Sequence, residues 1–374
     1  MSREVVHLQK VAGIAGSETY LLALLMGLRH RGWDAWMLMM HGDEPGAFQF
    51  AQELERRGVP VEAIRVRADV DPLAFLQLVS VLGRRRPAVL HTHLVHADVY
   101  GQLAGALAGV PVRFSTKHGF NEFRENRGFA FADRLVAGLA DVHIAVSRGL
   151  ARYLAETEGF GEHGFEIVHY GIDAASPPAP YEGPPRLLCV GRLIPLKGHL
   201  VLLRAVAAAL REVPELELRI AGLGPLYPAL RSVVTELGLE HSVRLLGQVA
   251  PIQRAMEDVG VVVVPSLGEG FGMVALEAME RARPVIASSV GGLVDILRHE
   301  ETGLLVPAGE VEPLAAAIVA LVSDRARAAR LGAAGRVRAL TWFTDGRSLD
   351  RTELLYRAHL DDAAPFSARP RRGR

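Results

Sequence analysis

Residues 261–292 leave few folds open. Val261–Val264 is a run of four valines that stops at Pro265-Ser266. A β-branched run without polar alternation suits a strand buried on both faces, as in a parallel sheet covered by helices. The loop Leu267-Gly268-Glu269-Gly270-Phe271-Gly272 follows, and residues 273–283, rich in Ala, Leu, Met and Glu, read as a helix. Pro284-Val285-Ile286-Ala287 starts the next strand, and Ser288-Ser289-Val290-Gly291-Gly292 is a second loop. Strand, glycine loop, helix and strand in this order form a βαβ unit.

The chemistry of that loop follows from its residues. A helix N-terminus carries unpaired N–H groups and about half a positive charge, so it attracts phosphate. Glycines 268, 270 and 272 let backbone approach a ligand closely. Glu269 precedes the helix and Glu277 lies two turns into it, so one can address a sugar beyond the phosphates and the other a sugar behind them. Either acid alone reads as an ordinary solvated carboxylate. The two together, with the glycines between, point to a sugar-phosphate ligand.

The same βα alternation runs through the chain. Strands are expected at 5–8, 36–40, 60–66, 88–91, 112–116, 142–146 and 167–170, with helices at 18–31, 48–57, 72–85, 95–109 and 124–138. The loop at 11–17 contains Gly16, and Ser147 caps a further helix. Residues 174–185 hold five prolines in twelve, which no helix or central strand tolerates, and read as a linker. The alternation restarts at Arg186. The expected organisation is an N-terminal Rossmann-like domain over 1–175, the linker, and a second over 186–344. A helix over 345–362 returns to the first domain, and a disordered basic tail covers 363–374. Two doubly wound α/β domains facing across a cleft bind ligands at the carboxyl ends of their strands.

The 374 residues suffice for two such domains. The 42 basic and 42 acidic residues cancel, which argues against a nucleic-acid binder. No apolar run reaches the length of a membrane span, and the N-terminus enters a strand directly, without the apolar core of a signal peptide. The single Cys189 excludes an internal disulfide and reads as a small buried hydrophobe. A cytoplasmic location is expected, at the inner face of the membrane should the four tail arginines hold anionic lipid weakly.

A second motif lies in the stretch 190–199. A strand turns at Gly191, and Arg192 and Lys197 stand before a helix. A guanidinium forks onto phosphate and an ammonium acts as a point charge, so the two suit a leaving diphosphate. His91 and His93 alternate at a strand end, one expected toward the cleft and one into the core. Asp98 or His96 would be the third ligand of a metal site. Because the cations and the helix start already meet a diphosphate's charge, no metal is expected. His118, with Gly119 behind it, is expected exposed at its strand end.

VGRLIPLKG, GLGP, PSLGEGFGMVALEAM, ARPVIAS, GG and TGLLVPAG, in this order, resemble the retaining family 4 glycosyltransferases of GT-B fold. AGSE, HTH, TKHG, AVS and YGID extend the resemblance, more loosely, over the N-terminal half. It implies that Arg192 and Lys197 hold the donor diphosphate and that Glu277 binds the ribose. Glu269 with the backbone of Gly270, Phe271 and Gly272, followed by Met273, would hold the donor sugar. Gly16 would lie against the donor from the other domain, and His118 would sit at the reacting centre. Two positions depart from the family pattern: Tyr170 stands where Asn often precedes Gly171, and Leu223 where Gly-x-Gly-Pro usually carries an acid. Neither is expected to touch the reacting atoms.

The implied activity is transfer of a sugar, with retention and without metal or cofactor, from a UDP- or GDP-sugar. The acceptor would be a glycan, a lipid-linked sugar or a small metabolite, in glycan, glycolipid or cell-surface polysaccharide synthesis. The alternatives are an inactive nucleotide-sugar-binding subunit, in which erosion of Arg192, Lys197 or the two Glu is expected, and an epimerase, which needs acids and bases on both faces of the sugar. A nicotinamide dehydrogenase is disfavoured, because AGIAGS is not G-x-G-x-x-G.

Overall fold

The computed structural model describes residues 3–120, 136–158, 164–174, 181–249 and 251–363. The helix expected over 124–138 (apart from its last residues), the linker at 175–180 and the tail from 364 lie outside them. The chain divides into two compact units: Met1–Val146 with Leu154–Gly171 and Asp345–Arg374, and Ser147–Tyr153 with Ile172–Thr344. The segment Ser147–Tyr153, read from sequence with the first domain, thus groups with the second unit.

The first unit holds β1 (Glu4–Lys10), α1 (Gly16–His30), β2 (Asp34–His41), α2 (Pro45–Arg56), β3 (Val61–Arg65), α3 (Pro72–Arg85), β4 (Val89–His93), α4 (Leu94–Leu107), β5 (Val112–Lys117), β6 (Val142–Ala145) and β7 (Glu166–Ile167). The strands form one sheet in the order β3-β2-β1-β4-β5-β6-β7, and every pairing is parallel. Seven of the eight residues of β2 are buried, which explains its near-continuous apolar sequence. Trp36, Leu38, Leu8 and Leu90 centre the core on one face.

The second unit holds α5 (Arg148–Glu158), which begins in it, then β8 (Arg186–Val190), α6 (His199–Ala209), β9 (Glu217–Ala221), α7 (Tyr227–Glu236), β10 (Val243–Gly247), α8 (Ile252–Glu257), β11 (Val261–Val264), α9 (Met273–Glu280), β12 (Val285–Ser288), α10 (Leu293–Ile296), β13 (Leu304–Val306), α11 (Val311–Ser323) and α12 (Arg325–Trp342). Its sheet runs β10-β9-β8-β11-β12-β13, again parallel. The order reverses at β8, so the loops after β8 and β11 leave the sheet side by side at a topological switch point. The four valines of β11 are all buried.

Helix α9 ends at Glu280, three residues earlier than its sequence suggests. Ala282 adopts φ 53°, its N–H bonds Met279 O at 2.9 Å, and Arg283 N bonds Ala278 O at 2.8 Å. This pair of bonds closes a helix through a left-handed residue, and Pro284 then prevents continuation.

The last helix, α13 (Asp345–Ala363), belongs to the first unit and packs on α1. Gly27 makes the approach possible, since a Cβ there would lie 2.5 Å from Leu349 Cδ2. Glu353 accepts from Arg31 at 2.8 Å and from the Trp33 indole at 3.0 Å. Burial acts to raise its pKa, but the Arg31, Arg357 and Trp33 donors prevail and hold it at about 2.

Candidate active site

In the second unit, four loops at the carboxyl end of the sheet are knitted backbone to backbone. The β8 loop bonds the β9 loop through Leu193 N to Leu223 O, 2.9 Å, and Gly222 admits the contact because a Cβ there would lie 1.9 Å from Gly191 O. The β8 loop bonds the β11 loop through Leu267 N to Leu196 O, 2.8 Å. Gly198, at φ 68°, caps α6, and its Cβ would lie 1.9 Å from Pro265 O. The β12 loop closes the set, with Gly292 N donating to Glu269 O at 2.9 Å.

These loops present the side chains singled out in the sequence. Lys197 Nζ donates to Glu269 Oε2 at 2.6 Å, and Ser266 Oγ donates to the same oxygen at 3.0 Å. An ammonium has three donors, so two remain for phosphate oxygens. Among the described residues Glu269 Oε1 has no partner, which leaves it for a sugar hydroxyl. The Arg192 guanidinium is exposed and likewise unpaired there. Gly270, Phe271 and Gly272 run from Glu269 into α9; Phe271 is buried, and Gly272 caps the helix at φ 108° with no side-chain cap. The helix start, with Met273 its first residue, therefore keeps amide N–H groups for an anion.

Glu277 lies half-buried on α9. Burial and the neighbouring Glu280 charge push its pKa up to about 7. Glu280 is paired with Arg336 at 2.9 Å, whereas Glu277 has no partner among the described residues. Lys197, Glu269, Glu277, Arg192 and the Gly270–Met273 backbone thus all belong to the second unit.

Sequence reasoning missed the groups that hold this loop from behind. Ser147 Oγ, expected only to cap α5, accepts from Leu150 N at 3.0 Å and also donates to Gly270 O at 2.6 Å. Arg148 N donates to Asp295 at 2.7 Å, and a Cβ on Gly149 would lie 2.3 Å from Gly291 O. A serine, a backbone amide and a glycine more than a hundred residues upstream carry no local signal of that role.

The remaining candidates, Gly16 and His118, lie in the first unit. Gly16 is the first residue of α1. His118 is not exposed as its position before Gly119 suggested: it is buried among aromatic rings, and desolvation with the Lys117 charge drives its pKa down to about 3. Its Nε2 meets His93 Nδ1 at 2.8 Å, and its Nδ1 meets the Tyr170 hydroxyl. His93 Nε2 meets His7 Nδ1 at 2.9 Å, and His7 Nε2 meets the Tyr356 hydroxyl at 3.2 Å. Tyr356 reaches His91 Nδ1 at 2.5 Å, and His91 Nε2 meets Thr116 Oγ1 at 2.6 Å. The expectation that one of His91 and His93 faces a cleft is corrected, since both are fully buried. The residue that converges with them is His7, with ring nitrogens of all three within 4.8 Å of one another. Asp98 instead pairs with Lys117 at 2.7 Å, and His96 lies 3.4 Å from Asp69. The signal for His7 was its place in β1, directly opposite His91 in the register. Cys189 is buried as expected, with His199 Nδ1 at 3.5 Å, and burial pushes its thiol up to about 12.

A family model described as Glycosyl transferases group 1 matches residues 184–324, and one described as Glycosyltransferase Family 4 matches residues 14–176. The chain belongs to glycosyltransferase family 4. This family 4 chain is 34% identical over 270 residues to a D-inositol 3-phosphate glycosyltransferase of Nocardia farcinica, covering 67% of this chain and 56% of the relative. The same named enzyme of Kineococcus radiotolerans is 34% identical over 281 residues, 66% of this chain and 64% of that one. A GDP-mannose-dependent alpha-(1-6)-phosphatidylinositol monomannoside mannosyltransferase of Mycobacterium tuberculosis is 37% identical over 161 residues, 41% and 42% of the two chains. The family 4 chain thus matches less than two thirds of the length of these relatives. In fold it is similar to Anabaena HepE in complex with UDP (TM-score 0.80, 21% identity, 95% of this chain and 100% of that one). It is also similar to sucrose-phosphate synthase of Thermosynechococcus elongatus (TM-score 0.78, 23% identity, 96% and 99%). The fold is GT-B, two Rossmann-like α/β units.

Proposed function

We propose that the chain is a glycosyltransferase that moves a sugar from a UDP- or GDP-sugar to an acceptor hydroxyl, with retention and without a metal. The observation that carries this reading is the Lys197–Glu269 pair beside an uncapped helix start, with Arg192 and Glu277 both unpartnered among the described residues. Arg192, Lys197 and the amides at 272–273 supply positive charge where a diphosphate leaves, and charge stabilisation of that kind lowers the barrier to bond cleavage. Glu269 Oε1 accepts from a sugar hydroxyl while Lys197 and Ser266 fix the other oxygen. Glu277, once ionised, accepts from the ribose hydroxyls. His118 and Gly16 are assigned to the reacting centre and the donor phosphate on family resemblance.

The relatives' names suggest the substrates: GDP-mannose as donor in one, and acceptors that carry an inositol unit in others. A lipid-linked, glycan or small inositol-type acceptor is the corresponding proposal here, in glycan, glycolipid or cell-surface polysaccharide synthesis. The N-terminal unit is assigned the acceptor and the C-terminal unit the donor. Among the described residues no helix is long and apolar enough to cross a membrane. The proposed place of action is the cytoplasm or the inner membrane face.

A thermal-shift screen against UDP, GDP and ADP, followed by their sugars, tests the reading. A shift with one diphosphate, and transfer from its sugar, is expected. No shift with any would overturn it, and a shift without transfer to any acceptor would favour the inactive binding subunit.

A further inference from the structure

The four histidines of the first unit belong to one continuous chain of hydrogen bonds that starts at Thr116, passes through Tyr356 and ends at Tyr170. Every link joins a ring nitrogen to another ring nitrogen or to a hydroxyl. A neutral imidazole has one N–H and one lone pair, so fixing the proton on one ring fixes it on the next. With N–H on His118 Nδ1, its Nε2 must accept from His93 Nδ1, and His93 Nε2 must then accept from His7 Nδ1. His7 Nε2 accepts from Tyr356, Tyr356 accepts from His91 Nδ1, and His91 Nε2 accepts from Thr116. The reverse polarity, with every proton on Nε2, satisfies every link equally well. Among His7, His93 and His118, which are linked ring to ring, any mixture leaves two N–H groups or two lone pairs facing each other inside a buried site, and burial makes such a mismatch costly. The Tyr356 hydroxyl has two lone pairs and accepts from either neighbour, so it ties His91 to the set less strictly.

We propose that these histidines act as one polarised relay of neutral imidazoles, in which Tyr356, His7 and His93 are positioning residues that set which nitrogen of His118 carries its proton. Desolvation holds His7 near a pKa of 3 and keeps His91 and His93 well below the usual imidazole range, as the neutral chain requires. A cation among His7, His91 and His93 is the competing occupant. The 2.9 Å between His7 Nδ1 and His93 Nε2 is a hydrogen-bond distance. Two ligands about 2.0–2.1 Å from a tetrahedral zinc stand farther apart than that.

In its functional consequence the relay rests on the transferase reading. The outer partner of His118 is a hydroxyl, that of Tyr170, and a sugar hydroxyl taking its place would meet a nitrogen whose donor or acceptor character is decided on the last helix. Tyr170, the departure from the family pattern, therefore stands next to the proposed reacting centre.

The test is the long-range proton–nitrogen NMR spectrum of the histidine rings in the ¹⁵N-labelled full chain at pH 7, with an elemental analysis of the same sample. It needs no turnover, so failure of the transferase reading leaves it intact. In the wild type all four rings should be neutral, and His7, His93 and His118 should share one tautomer. Tyr170→Phe removes the partner of His118 Nδ1 and should drive the set to Nε2–H. Tyr356→Phe removes the partner of His7 Nε2 and should drive His7, His93 and His118 to Nδ1–H. Whatever the wild-type polarity, one variant must invert these three rings together. Mixed tautomers among His7, His93 and His118 in the wild type, one of these three inverting alone, a charged ring, or a stoichiometric bound metal would each overturn the relay. The wild-type spectrum alone decides the first of these should a variant misfold.

Discussion

Glu269 and Glu277 lie eight residues apart and are proposed to do different work. Glu269 is already tied by one oxygen to Lys197 and Ser266, so its orientation is set before any ligand arrives. Burial and the Glu280 charge raise the Glu277 pKa to about 7, so in the proposed role it gives up its proton before it accepts from a ribose hydroxyl. A carboxyl whose pKa is raised in the folded protein contributes stability below the unfolded value near 4.5 and loses it as pH climbs through 7. Nucleoside diphosphate affinity should therefore rise with pH through about 7 in the wild type. In Glu277→Gln this part of the rise should vanish while stability at pH 8 improves; calorimetry across pH 5.5–8.5 on both proteins decides. A parallel rise in both would assign it to the phosphates alone. Glu269→Gln should impair transfer more than nucleotide binding. Arg192→Ala and Lys197→Ala should each weaken diphosphate binding by about 10- to 150-fold, as loss of a charge-assisted contact of about 1.5–3 kcal/mol implies; unchanged affinity in both removes them from the site. At this scale the second-unit candidates could be picked out because each half is a compact motif, Arg192 and Lys197 behind one glycine turn and Glu269 and Glu277 about another, although 72 residues separate Lys197 from Glu269. His118 was not, because the rings around it come from far along the chain: Tyr20 of α1, His93 of β4 and Tyr170.

The elements were legible for a different reason. Runs such as 261–264 and the alternating apolar helices name their own type, and Ser147 named its own cap. What one strand cannot reveal is which loop presses on which. Gly291 shows the point: at φ 50°, with a Cβ that would sit 1.8 Å from Glu269 O, it is the position through which the β12 loop supports the β11 loop. Gly291→Ala should lower stability by about 1–3 kcal/mol and reduce donor binding, because the Glu269 carbonyl has to move. Gly83→Ala is the control, since that helical glycine has nothing within 4 Å of its Cβ position, and it should hold or slightly raise the melting temperature. Equal melting curves and equal diphosphate affinities for the two variants would remove the loop contact from the argument. The early end of α9 has a similar cause, since Ala282 in a left-handed conformation is not a residue type that announces a helix stop.

For the whole molecule the question is what takes the acceptor's proton, and where the leaving charge goes. In the proposed reading the leaving charge goes to Arg192, Lys197 and the start of α9 without a metal, so activity in excess EDTA should equal that without it. Loss of activity restored by Mg²⁺ or Mn²⁺ would require a different site. For the proton, an inverting enzyme needs a general base, and the N-terminal candidates are Glu18, His93 and His118. Glu18 is buried, with Oε1 on Gln9 and Oε2 accepting from Ala15 N at 3.0 Å and Ser17 Oγ at 3.1 Å. Both nitrogens of His93 are occupied by other rings, and those of His118 by His93 and Tyr170. None of the three offers an unused basic site. In the proposed retaining route the departing diphosphate itself takes the proton of a hydroxyl that attacks from the face it leaves, and fixed positive charge around it would favour that early departure. The product should therefore keep the donor's α configuration. The anomeric proton coupling in the product's NMR spectrum measures it directly: a small coupling from a gluco-configured α-donor is expected, and a large one, marking a β-linkage, would mean that one of the three groups leaves its present partners to act as a base.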